Sequence, residues 1–209
     1  MAQSTDHTGG SSDQCLSDGI PPLRSLLLGQ RLALHQAAHA VGRLYLGLGT
    51  IEIISIETPE GGLVAENMDE FSELAEELLA AMLVSTLSGR AAEQEILGSV
   101  VACGDAGTRR DIDLANEFAF ALEATPDFAR KWPLLYRPKA NRTLLLALDR
   151  DLRNLVNARF DTAYDLARKL VVRQQAAIVF LAEKLLARKT FEGPELERLL
   201  EEVKQHMAP

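Results

Sequence analysis

Long apolar runs are missing from this sequence. The longest, Leu78 to Val84 and Ala176 to Ala182, fall far short of the roughly 18 to 20 residues that cross a bilayer, so no membrane helix is expected. Cysteine is scarce: Cys15 and Cys103 are the only two and lie far apart. The opening residues MAQSTDHTGG have neither the basic start nor the apolar stretch of a secretory signal. Reduced thiols, no structural disulfide and a cytoplasmic location are therefore expected. Also missing is a Gly-Lys pair, since none of the six lysines follows a glycine. A phosphate-cradling P-loop needs that pair followed by Ser or Thr, so no ATPase module is expected within these 209 residues. Finally there is no basic excess. With 22 Lys and Arg against 30 Asp and Glu, the net charge is −8, and a phosphate backbone would be repelled over most of the surface. Nucleic acid is set aside as a partner, with Arg109-Arg110 left as a local anion-binding pair.

What is present is the composition of a folded domain, 47% hydrophobic and 25% charged, in a length that accommodates one domain with or without a tail. Residues 1–22, rich in Ser, Gly, Asp and Gln and closed by Ile20-Pro21-Pro22, read as a disordered leader. Residues 23–206 read as the folded domain. Leu32, His35, Gln36, His39, Arg43 and Leu46 recur at helical spacing among alanines and leucines and predict a largely buried helix ending near Gly47 to Gly49. TIEIISIE, Thr50 to Glu57, is β-branched and partly alternating, and Pro59 to Gly62 turns it into LVAEN, giving a small hairpin. Beyond Met68 nearly everything reads as helix. One runs from Glu70 to Ser88 with a break at Gly89, followed by a segment from Arg90 to Leu97. Another opens at Thr108 and ends near Ala124. Two long amphipathic helices, Leu144 to Val172 and Arg173 to Arg188, precede a shorter one from Pro194 to about Lys204. The expected fold is mainly α with a small β-hairpin or sheet.

Two of the four histidines form HQAAH, His35 and His39. Four-residue spacing puts both imidazoles on one helix face, within reach of a single tetrahedral metal ion. The same pair also suits two core histidines satisfied by backbone carbonyls. A third ligand would come from elsewhere, and Asp111, on the second turn of the helix introduced by Gly107-Thr108, is one candidate. On the residues alone, an acid there is explained first by the favourable charge of a helix N-terminus.

Taken together, several separated motifs resemble, in order, the peptidase domain of the FtsH family of ATP-dependent zinc metalloproteases, from about Leu32 to Val203. LALHQAAHAVGRL is similar to the metal-binding helix, SGRAAEQEILG (Ser88 to Gly98) to the glycine-arginine-acid segment, and GTRRDIDLAN to the GASNDI-type segment. ARFDTAYDLARKLV and FEGPELERLL are similar to the C-terminal helical hairpin and closing helix. The resemblance implies a helical peptidase domain with a small sheet beside the metal site, zinc held by His35, His39 and Asp111, and a polypeptide substrate that pairs with a sheet edge near Ile51 to Ile56 and Gly62 to Glu66. It also implies an oligomer or a separate ATPase partner.

The departures bear on activity. Where the family has a glutamate that activates the attacking water as general base, this sequence has Gln36, and an amide cannot take that proton. Ala38 replaces the usual glycine before the second histidine. In SGRAAEQE the first acid is Glu93, while Gln94 stands where the family has its second acid, so support of a metal ligand from behind would rest on Glu93, which is otherwise a solvated helix acid. Cys103, in the glycine-containing loop expected from Gly98 to Gly107, is set aside as inert, and Trp132 is assigned to the core. The expectation is a metallopeptidase-like protein with weak or absent hydrolysis, Gln36 being what a natural pseudopeptidase or a deliberate trap would carry. The alternative is a non-catalytic peptide- or partner-binding module on the same zinc site.

Overall fold

The computed structural model describes residues 23–58, 61–67, 76–100, 106–124 and 142–209. Residues 1–22, Cys103, and the segment containing Pro126, Trp132, Pro133 and Pro138 lie outside them, as do the side chains of Arg109 and Arg110.

The fold is mainly helical. In chain order the elements are α1 (Leu23–Leu46), β1 (Thr50–Thr58), β2 (Gly61–Asn67), α2 (Glu76–Leu97), α3 (Ala106–Ala124), α4 (Arg142–Leu148), α5 (Arg150–Arg173), α6 (Gln175–Ala187), β3 (Thr190–Glu192) and α7 (Gly193–Gln205). No helix among the described residues is long and apolar enough to cross a membrane.

Helix α1 is the centre of the molecule, packing on α2, α6 and the sheet. Its side chains explain why. Ala33, Ala37, Ala38 and Ala40 are all fully buried, and such small residues let neighbouring backbones come close. The methyl group of Ala38 fits within that core. Gly47, at φ +66°, adopts the left-handed conformation that commonly ends a helix. The chain then enters β1, the middle strand of a three-stranded sheet in the order β2-β1-β3. Both pairings are antiparallel, and Ile54, fully buried, lies opposite Val64 on one side and Phe191 on the other.

Helices α2, α3 and α5 pack on one another. Arg159 on α5 ties them together, its Nε donating to Glu123 Oε1 on α3 at 2.6 Å and its Nη2 to Glu76 Oε1 on α2 at 3.5 Å. Helix α7 follows the amphipathic rule closely: Leu196, Leu199, Leu200 and Val203, at i, i+3, i+4 and i+7, are its buried residues.

The structure corrects the sequence reading in four places. Helix α2 passes through Gly89 without a break, because close packing against α1 favours a residue with no side chain there over a helix former. The expected Leu144 to Val172 helix is two, divided at Asp149, whose carboxylate accepts from the Leu152 N–H at 2.9 Å and caps α5. Helix α3 begins at Ala106, two residues before Thr108. Strand β3, unforeseen, completes the sheet.

Candidate metal centre

His35 and His39 stand one turn apart on α1 and turn their rings towards the gap between α2 and α3. The ring centroids are 4.7 Å apart and the planes cross at 72°. The two Nε2 atoms are 3.0 Å from each other. Asp111 reaches them from α3, its Oδ2 lying 2.9 Å from His35 Nε2 and 3.2 Å from His39 Nε2. Among the described residues this is the one group of three or more potential ligands gathered tightly enough for a metal ion. Side-chain exposure rises from 5% at His35 through 12% at His39 to 25% at Asp111, so the site opens to solvent on the Asp111 side.

The outer nitrogens decide what the inner ones can do. His35 Nδ1 faces Glu93 Oε1 at 2.8 Å, and His39 Nδ1 faces the Ser85 carbonyl at 3.1 Å. A carboxylate and a carbonyl oxygen only accept, so both rings carry their proton on Nδ1 and direct the Nε2 lone pair inwards. With both rings neutral, two lone pairs and a carboxylate oxygen therefore converge with no hydrogen among them. Only a cation relieves that arrangement. A tetrahedral ion with bonds of about 2.0–2.1 Å places its ligand atoms about 3.3 Å apart, close to the separations found here, so the donor set fits such an ion. Without a metal, a proton takes the role. Burial alone would lower the His35 pKa, but hydrogen bonds to Asp111 and Glu93 overcome it and raise the value from 6.5 to about 9. Burial likewise disfavours a charged Asp111, yet the charge of His39 and hydrogen bonds to both histidines hold it well below the usual carboxylate range.

Of the residues singled out in the sequence, His35, His39 and Asp111 meet at one point, and Glu93, 3% exposed, touches His35 from behind rather than facing solvent. Gln36 is buried beside His35 in α1. The alternative of core histidines satisfied by carbonyls describes one ring nitrogen of the four, His39 Nδ1. Two contributors were not foreseen. Gly89 lies against both rings: a Cβ built on it would stand 2.5 Å from His39 Nε2 and 2.7 Å from His35 Nε2, so any side chain would crowd the two imidazoles. Arg31, one turn before His35, holds the second oxygen of Glu93 at 2.6 Å. Its i, i+4 spacing to His35 was the available signal.

No family model matches the chain. Individual proteins do. The chain is 25% identical over 174 residues to the ATP-dependent zinc metalloprotease FtsH 2 of Thermoanaerobacter sp. (strain X514), covering 81% of this chain and 32% of that protein. It is 27% identical over 192 residues to FtsH of Rubrobacter xylanophilus, covering 81% and 28%. With FtsH 3 of Symbiobacterium thermophilum it shares 25% over 217 residues, 91% of this chain and 33% of the relative. The chain is distantly similar to FtsH metalloproteases. It spans about a third or less of the length of these relatives, and the aligned share takes in most of its own residues.

Proposed function

We propose that the chain is a zinc-binding, metallopeptidase-like domain resembling the FtsH peptidase domain, with hydrolysis weak or absent because Gln36 stands at the position of the general base. The observation that carries this reading is the convergence of His35 Nε2, His39 Nε2 and Asp111 Oδ2 within 3.2 Å, with both Nδ1 atoms already engaged. These three atoms would hold the ion. When bound, zinc would act as a Lewis acid on the scissile carbonyl and the attacking water. The protein residues divide the remaining work. Glu93 fixes the tautomer and orientation of His35, and Ser85 does the same for His39. The Gln36 carboxamide can hydrogen-bond a water or a peptide but has no basicity with which to remove a proton.

The ligand class is a polypeptide. The relatives are named ATP-dependent, and any ATP dependence of this chain would come from a separate ATPase partner or from sequence outside these 209 residues, which contain no Gly-Lys pair. A homo-oligomer and a cytoplasmic location belong to the same proposal. A non-catalytic peptide- or partner-binding module is the second reading, and Gln36 favours it, since the buried donor set persists while the base does not.

Elemental analysis of the purified chain, paired with casein cleavage by the chain and by Gln36→Glu, tests both. Zinc near one per chain, with cleavage only after the substitution, supports the disabled peptidase. Zinc without cleavage by either protein transfers the case to the binding module. A chain free of zinc after growth in zinc-replete medium removes the metal centre altogether.

A further inference from the structure

We propose that Arg31 is a positioning residue of the metal centre, acting on His35 through Glu93; this rests on the zinc reading above. The geometry is a relay of three side chains. His35 Nδ1 donates to Glu93 Oε1 at 2.8 Å, and the other oxygen of the same carboxylate, Oε2, accepts from Arg31 Nη1 at 2.6 Å. Each oxygen of Glu93 thus has its own directed partner, and neither can rotate away without losing one. The carboxylate is almost completely enclosed, its side chain 4% exposed, while that of Arg31 is 18% exposed. The ion pair therefore lies where bulk water screens it weakly.

The guanidinium has a second grip. Nη1 also donates to the Ser99 carbonyl at 2.7 Å and Nη2 to Ser99 Oγ at 3.1 Å. Ser99 follows Gly98, whose φ of +67° ends α2, on the stretch of chain leading towards α3 and Asp111. One planar fork thus fixes the carboxylate that orients the first histidine and the exit of the helix that carries Glu93. A lysine at position 31 would retain the charge but replace a fork reaching three acceptors with a single ammonium. Arg31 touches no ligand atom directly, and its effect on the metal must pass through Glu93.

The test is a double-mutant cycle read in zinc affinity, by chelator competition on the full chain, with the visible spectrum of the cobalt-substituted protein reporting the ligand geometry. Arg31→Ala is expected to weaken zinc binding by about 10- to 100-fold, the usual cost of losing an outer partner of a metal-bound histidine, and to alter the cobalt spectrum. Arg31→Lys should lose less. In a Glu93→Gln background Arg31→Ala should cost less than about two-fold more, because the path through the carboxylate is already cut. An affinity within about two-fold of the parent chain in Arg31→Ala, or a loss that adds in full to that of Glu93→Gln, overturns the proposal. If Arg31→Ala does not fold, Arg31→Lys carries the cycle, and full additivity there overturns the proposal as well. A parent chain that binds no zinc defeats the zinc reading itself, and that result is distinct from zinc binding indifferent to Arg31.

Discussion

Gly89 and His39 meet so closely across the α1–α2 interface that a methyl group on the glycine would stand 2.5 Å from His39 Nε2. Two opposing effects follow from Gly89→Ala. Alanine favours a helix interior over glycine by about 1 kcal/mol, whereas the new methyl displaces both rings, the kind of overpacking that costs about 1–3 kcal/mol. Zinc affinity should fall by at least about ten-fold, since 1.4 kcal/mol of misplacement at the ligands is already that much. Circular dichroism should show no loss of helix. Unchanged zinc affinity would mean that the rings can move aside and that Gly89 does not shape the site.

Removing the metal should cost stability in proportion to its occupancy. For zinc at about a hundred times its dissociation constant, linkage gives about 2.7 kcal/mol. In a domain of this size that is a melting temperature lower by about 5–10 °C after chelator treatment. His39→Ala, which removes one of the converging lone pairs, should bind no zinc and show no response to chelator. A chelator effect of equal size in His39→Ala would place the metal elsewhere.

Much of this site was legible in the sequence, though by different routes. The HQAAH spacing alone puts two imidazoles on one face, because helical geometry is local. Asp111 and Glu93 lie 72 and 58 residues from their histidine partners, and no periodicity reports a contact at that range; helix position makes Asp111 no more than one candidate, and the family resemblance is what singles out both. Gly89 reads as a break because propensity treats a mid-helix glycine as a stop, while here the lack of a side chain is what the neighbouring rings require. Arg31 escapes notice because an arginine on a helix is ordinarily solvated, and its role exists only once α2 brings Glu93 and Ser99 alongside. Strand β3, three residues long, is too short to show alternation.

The division between α4 and α5 makes a prediction with no bearing on the metal. Apolar residues Leu145, Leu148, Leu152 and Leu155 carry helical spacing across the junction, which hides the break, yet the Asp149 carboxylate caps the Leu152 N–H. Asp149→Ala should destabilise the fold by about 0.5–2 kcal/mol, seen as a lower urea midpoint with an unchanged slope, while zinc content stays that of the parent. A parent-like midpoint would mean that water or a neighbouring group replaces the cap at no cost.

The last prediction concerns the chemistry at position 36. Glutamine and glutamate have nearly the same shape, so Gln36→Glu changes the buried position next to His35 by one proton-accepting group and one charge, and zinc content should remain as in the parent. A general base in the right place typically contributes about 10² to 10⁴ in rate. The unsubstituted chain, left with a Lewis acid and no base, should cleave an unfolded substrate such as casein below easy detection, and the substitution should raise the rate by a factor within that range. The added carboxylate would join a site that already holds the anionic Asp111, itself kept well below the usual carboxylate range by the two histidines. The recovered activity should therefore depend on zinc, whose charge offsets the crowding of anions, and should vanish with chelator. Casein digestion by the unsubstituted chain at a rate that Gln36→Glu cannot improve would assign the base to another residue and end the reading of a disabled peptidase.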